Sequence, residues 1–260
     1  MSQIYPIINL PALNKEGLVP TFVSTTTLEI LAGQCRDSTN TIDLLVGSPN
    51  IEGQTVAAPL ILDFTVKGVN GVDVLPLTNN SMYAIYLIGS STYRKPTTCI
   101  ASLANATIGV PPLLPHDYDV YRLIGFWAVD GSGLLINGAY AGLSNDMKFY
   151  YDGLFQVLND GEATTYTNVN LSAFVPVSIL STVTLQALYT PAVDSDSASL
   201  KIVSFTNANI IINSPVANVP FYAQVQMPAV FTQGLQQIQY KVTSGSDGLS
   251  LYVSAFEVTL

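Results

Sequence analysis

Residues 237–253 read QIQYKVTSGSDGLSLYV, and the alternation of their apolar side chains decides the fold. Ile238, Tyr240 and Val242 fall on one side of an extended chain, while Gln237, Gln239, Lys241 and Thr243 fall on the other. A period of two is the mark of a half-buried β-strand. The Ser-Gly-Ser-Asp-Gly run that follows is made of turn formers, so the chain is expected to reverse there into a second strand, LSLYVSAFEVTL.

The same period recurs upstream. In FYAQVQM, 221–227, Phe221, Ala223, Val225 and Met227 oppose Tyr222, Gln224 and Gln226. TFVSTTTLEI, 21–30, is rich in β-branched residues and reads as strand, as does PLILDFTV, 59–66. MYAIYLIGSS, 82–91, is apolar enough to be buried on both faces. RLIGFWAVDGSGLLINGAY, 122–140, predicts a hairpin about Asp130-Gly131-Ser132-Gly133. GVPPLLPHDYD, 109–119, carries three prolines, which confine it to a loop or an edge. LFQVLNDG, 154–161, comes nearest to a helix and is too short to stand alone.

Short strands between turn signals over the whole length predict an all-β protein, an antiparallel β-sandwich or jelly roll, as two packed β-domains. The expected division is an extended arm over 1–20, one sandwich over 21–152 and a second over 153–260. The boundary is set where the basic residues thin out, since only Lys201 and Lys241 follow residue 153.

Composition narrows the chemistry. The chain has 260 residues, 48% of them hydrophobic and 10% charged, against roughly 25% charged in ordinary globular proteins. Its net charge of −9 disfavours nucleic acid and anionic lipid. The first residues lack a basic stretch before an apolar one, and no apolar run reaches the ~18 residues of a membrane span, so synthesis in a cytosol is expected. There Cys35 and Cys99 are expected to stay reduced and buried.

Catalytic groups are scarce. A nucleophilic Cys35 needs a base, and the single histidine, His116, is remote in the proline-rich loop. One histidine also rules out a metal site built from several imidazoles. Asp194 with Asp196, and Asp160 with Glu162, have a spacing open to calcium, though solvated turn acids are the simpler reading. Asp117, Tyr118, Asp119 and Tyr121 mix acid and aromatic side chains in the way a sugar contact does. The 14 tyrosines favour a contact surface. No cofactor is expected.

Cys35-Arg36-Asp37, in AGQCRDSTNTIDLLV at 32–46, then reads as a turn. Gly33 permits it, Cys35 fills a small apolar space, and Asp37 with Ser38 bonds the turning backbone. Arg36 is expected to pin Asp43, so Arg36→Ala is expected to cost folding or assembly where Cys35→Ser does not.

Three stretches together resemble a module of tailed-bacteriophage virion proteins: residues 32–46, VKGVNGVDVLPLTNNSMYAIYLIGSS at 66–91, and PPLLPHDYDVYRLIGFWAVDGSGLLI at 111–136. The shared pattern is a Gly-x-Cys-Arg-Asp-Ser turn, a Gly-x-x-Gly-x-Asp turn ending at Asp73, and an Arg-x-x-Gly strand carrying Arg122 and Gly125. The resemblance implies a virion component without catalytic activity, assembled in the host cytoplasm, commonly as a homotrimer. Its partners would be its own copies, capsid, portal, tail or fibre-anchoring proteins, and host-surface glycan. A short tail or head fibre is the first role implied. A capsid decoration (cement) protein is the second, and a glycan depolymerase using Asp117 and Asp119 the third.

Overall fold

A computed structural model describes residues 15–47, 57–92, 94–103, 112–142, 146–177, 181–203, 205, 209–214, 216–232 and 235–259, with side chains at 231 and 232 excepted. No helix occurs among them, and every pairing between named strands whose register is resolved is antiparallel. The protein is all-β, with sheets packed as sandwiches. Among the described residues it divides into two compact units, 15–147 and 148–259. Residues 1–14 of the expected arm lie outside the described residues, and Lys15–Gly17 forms a strand of the first unit.

In that unit β1 (Lys15–Gly17), β2 (Pro20–Ser24), β3 (Thr27–Ile30), β4 (Gly33–Arg36), β5 (Asp43–Val46), β6 (Leu60–Asp63), β7 (Ser81–Gly89), β8 (Thr98–Leu103), β9 (Val120–Val129) and β10 (Gly138–Ala141) follow in order. The first nine build three-stranded sheets of order β1-β4-β5, β2-β3-β6 and β8-β7-β9. TFVSTTTLEI is not one strand: it folds back between Ser24 and Thr27 into the β2–β3 hairpin. At that corner Ser24 Oγ accepts from the Thr26 amide at 3.3 Å, and this local bond favours reversal over continuation.

β7 is the central strand of its sheet and is buried from Met82 to Gly89, as its composition predicts. The hairpin at 130–133 forms too, with Asp130 Oδ1 accepting from the Ser132 and Leu134 amides. β9 contains a bulge: Ile85 pairs with Gly125 and Tyr86 with Leu123, leaving Ile124 over. Next to it the Tyr140 hydroxyl receives the Phe126 N–H at 2.7 Å and donates to the Phe126 carbonyl. One phenol thus takes the place of a neighbouring strand. Gly125 leaves room for it, since a Cβ there would lie 3.2 Å from the Tyr140 oxygen and 3.1 Å from Pro20. Trp127, fully buried, stacks on Phe22 and gives its indole N–H to the Ile136 carbonyl.

The second unit contains β11 (Asp146–Gly161) from Lys148 onward, β12 (Thr167–Asn170), β13 (Ser181–Thr190), β14 (Ser197–Lys201), β15 (Asn209–Asn213), β16 (Phe221–Thr232), β17 (Leu235–Val242) and β18 (Gly248–Thr259). LFQVLNDG lies inside β11, so the nearest candidate for a helix is strand. Pairing runs β11-β18-β13-β16 and then β17-β14-β15, with β12 on β17. β16 belongs to both halves: 221–229 pair with β13, and 230–232 pair with β17.

Alternation fills the core between them. Val183, Leu185, Ala187 and Tyr189 from β13 are fully buried beside Leu249, Leu251 and Val253 from β18. Ile238, Tyr240 and Val242 are buried as their period predicts. Gln237 departs from it, being 4% exposed on the face expected to meet solvent, and Gln236 beside it is wholly buried. Gln236 is held there by bonds: its Nε2 donates to the Ala229 carbonyl, and its amide N–H goes to Ser172 Oγ. The opening turn forms at Ser244–Asp247, where the Asp247 amide bonds the Ser244 carbonyl.

Removing the Tyr140 hydroxyl leaves the Phe126 N–H and carbonyl without that partner. Tyr140→Phe is expected to lower unfolding free energy by about 1–3 kcal/mol, read from the urea midpoint at unchanged slope.

Candidate functional site

Asp37 is the centre of the 36–43 turn. Its carboxylate is completely buried and accepts from the amides of Thr39 (3.0 Å), Thr41 (2.7 Å) and Ile42 (2.7 Å), and from the Thr39 hydroxyl. Burial by itself pushes the carboxyl up, but the bonds from Thr39, Ile42 and Thr41 outweigh it and hold the pKa below the usual carboxylate value. The adjacent Ser38 amide bonds the Tyr121 carbonyl at 2.8 Å, which fastens the turn to β9. Arg36 stands opposite Asp43 across the β4–β5 ladder, with Nε 3.4 Å from Oδ1 in a partly exposed pair.

Cys35 and Cys99 are buried free thiols. Burial pushes both to about 12, so each stays protonated at neutral pH. Lys15, paired with Cys35 across β1–β4, is 4% exposed, and burial lowers its amine to about 8. Arg122 is buried on β9 opposite Leu87. Asp73, also buried, accepts from the Ser102 hydroxyl and the Leu113 amide. These residues are structural ties within the first unit.

The 117–121 residues do not form a shared face. Extended geometry would align Asp117 with Asp119, but the chain turns at 116–117 and Asp117 has φ 71°. Asp117 pairs with His116 at 2.9 Å and Lys95 at 3.5 Å. Asp119 instead binds the Ser91 amide (2.6 Å) and hydroxyl. Tyr121 sets its ring edge-on to Tyr86, 6.0 Å away. Tyr118 lies in the same turn, its amide bonded to the Pro115 carbonyl.

Of the spaced acids of the second unit, Asp194 and Asp196 are engaged through their carboxylates. Asp194 caps the Ala217 amide at 2.6 Å. Asp160 begins a return to β18, its amide bonded to Ser250 Oγ. Asp196 turns inward, is 6% exposed, accepts from the Val193 amide at 3.3 Å, and faces the buried Asp247. No cluster of three metal-ligating side chains occurs among the described residues.

Sequence periodicity does not locate the concavities of the second unit. A cavity of about 320 Å³ opens on the outer face of β11, β13, β16 and β18. Lys148, Tyr150, Leu154, Gln186, Gln224 and Ser254 line it. Its origin is local. Phe149 and Tyr151 point into the core, so their neighbours Lys148 and Tyr150 point out. The β13–β18 ladder skips Ser254 between Leu185–Val253 and Thr184–Ala255, and this bulge presents Ser254 at the cavity wall. Gln186 pairs directly with Gln224. The Lys148 ammonium sits 5.2 Å from the centre of the Tyr150 ring. An aromatic face beside two primary amides and a hydroxyl is suited to polyhydroxylated ligands.

Asp37→Ala is expected to cost about 3 kcal/mol of stability, because several buried amides lose their acceptor, while Arg36→Ala costs under about 1 kcal/mol. Chemical denaturation of the two variants checks the order. The depressed pKa of Asp37 makes its contribution present above the unfolded-state carboxylate value and lost as pH falls through the folded one. Asp196 has the opposite sign. Burial and then the facing Asp247 raise its pKa, so the folded chain holds that proton longer, and stability declines as pH rises from the unfolded-state value to the raised one. Asp196→Asn is therefore expected to gain on the parent as pH rises above the unfolded-state carboxylate value of about 4, measured as the difference in melting temperature.

No family model matches the chain, and no curated protein does. Among solved structures, a carbohydrate binding module from Cellvibrio mixtus lichenase 5A, in complex with cellotriose, is 11% identical and covers 48% of this chain and 86% of its own, at a TM-score of 0.22. An insecticidal delta-endotoxin from Bacillus thuringiensis is 10% identical over 94% of this chain and 52% of its own, at 0.24. An uncharacterized protein of Listeria monocytogenes is 11% identical over 93% of this chain and 18% of its own, at 0.22. Likenesses this slight establish no shared role.

Proposed function

We propose that this chain is a non-catalytic structural protein of a tailed-bacteriophage particle, a short tail or head fibre component that forms homotrimers and touches host-surface glycan with its second unit. The observation that carries the contact role is the cavity whose wall joins Tyr150, 47% exposed and faced by the Lys148 ammonium, to the neutral donors and acceptors of Gln186, Gln224 and Ser254. Sugars present both hydroxyls and apolar C–H faces, and this wall offers a partner to each.

Particle membership rests on the sequence pattern at 32–46, 66–91 and 111–136. Assembly is further supported by apolar side chains left in solvent along the 191–196 loop, the 216–220 loop and the start of β16. These loops are joined by the Asn218 amide to the Pro191 carbonyl, and Val193, Val216 and Tyr222 are 54%, 50% and 71% exposed. Surfaces of this kind commonly become buried against a partner. The lack of catalysis is supported by the engagement of Asp117, Asp119 and Cys35 described above.

Density of intact particles should place the chain on the tail or head at a few symmetric sites. Hundreds of copies over the capsid joints would replace the fibre with a cement role. Tyr150→Ala with Gln186→Ala is expected to reduce adsorption about tenfold or more at unchanged particle incorporation. Unchanged adsorption would remove the cavity from host contact, and sugar release by the purified protein would overturn the non-catalytic reading.

A further inference from the structure

The second unit holds a concentration of positive charge that neither its composition nor the cavity explains. Of its three lysines, two converge on one ring: the ammonium groups of Lys201 and Lys241 lie 4.7 and 5.0 Å from the centre of Tyr166. The β14–β17 register pairs Lys201 with Gln239 and Ser199 with Lys241, so the lysines are diagonal neighbours on one face. Like charges in that relation repel. Among the described residues no ion pair engages either lysine.

The ring attracts each cation through its quadrupole but neutralises neither. The Tyr166 hydroxyl is buried and has no hydrogen-bond partner, so a donor beside two cations is left unused. The adjoining row completes the surroundings. Asn168 pairs with Gln239 across β12–β17, and Gln239 Nε2 donates to Asn168 Oδ1 at 2.9 Å. That bond leaves the Asn168 amide nitrogen as a donor and the Gln239 carbonyl oxygen as an acceptor on the same face.

We infer that Lys201, Lys241 and Tyr166 form a binding site for the carboxylate of an acidic saccharide, whose hydroxyls meet Asn168 and Gln239. A carboxylate seated between the ammonium groups relieves their repulsion and accepts charge-assisted bonds from both. A neutral ring carrying that carboxylate then spans the distance of one strand to the amide pair. The site is built from β12, β14 and β17, shares no residue with the cavity, and does not depend on the particle reading.

Affinity electrophoresis of the full chain through gels containing polygalacturonate, dextran or polyglutamate tests it. Polygalacturonate is expected to retard the protein, dextran to leave it unaffected, and polyglutamate to act far more weakly. Lys201→Gln and Lys241→Gln should each weaken retardation about tenfold, and Lys241→Arg should retain most of it. Circular dichroism of each variant confirms that its sheet content is kept, and the Arg variant supplies the comparison if a Gln variant unfolds. Absence of retardation by polygalacturonate, or equal retardation of the parent and the double Gln variant, overturns the site. Equal retardation by polyglutamate overturns the saccharide assignment, because charge alone then accounts for binding.

Discussion

The carboxylate of Asp247 closes the second unit at the turn from β17 to β18. It is 1% exposed and accepts from the Tyr189 hydroxyl, the Ala192 amide and the Ser244 amide, at 3.0, 2.8 and 3.0 Å. Those donors come from the end of β13, the loop after it, and the turn itself, so one side chain fixes where three segments stop. A buried turn without such an acceptor would leave backbone amides unpaired, at a cost of about 1–3 kcal/mol each. Holding Asp247 buried is what commits the chain on either side of it to opposite parts of the sandwich.

The same device recurs wherever a strand ends or bends under cover. Asp37 gathers the amides of its own turn, Tyr140 stands in for a missing strand beside the β9 bulge, and Gln236 bonds the Ala229 carbonyl from inside the core. A protein with few charges has few salt bridges to rely on. Here neutral groups and isolated carboxylates satisfy backbone instead, a use in which buried polar atoms add conformational definition as well as stability.

This economy also separates structural acids from surface ones. Asp73, Asp119, Asp194 and Asp247 are bonded to backbone or hydroxyl donors, which makes them ties within their units. Tyrosines, amides and lysines are among the groups left facing outward in the second unit. They collect at two places, the wall of the cavity around Tyr150 and the face around Tyr166. Recognition by such surfaces works through hydroxyl and carboxylate chemistry rather than through apolar burial.

The sequence by itself determined the all-β class, the buried centre at β7, the hairpin at 130–133 and the turn at 244–247, because period and turn chemistry are local properties. It also marked Asp37 and Asp247 as turn residues. Only the tertiary structure decided that TFVSTTTLEI folds back on itself, that LFQVLNDG is strand, and that Gln236 and Gln237 are buried. Each depends on a neighbour distant in the chain or on a bond that periodicity does not register. The cavity and the lysine pair were illegible for the same reason. Tyr150 meets Gln186 and Gln224, and Tyr166 meets Lys201 and Lys241, only after strand order and register bring them to one face.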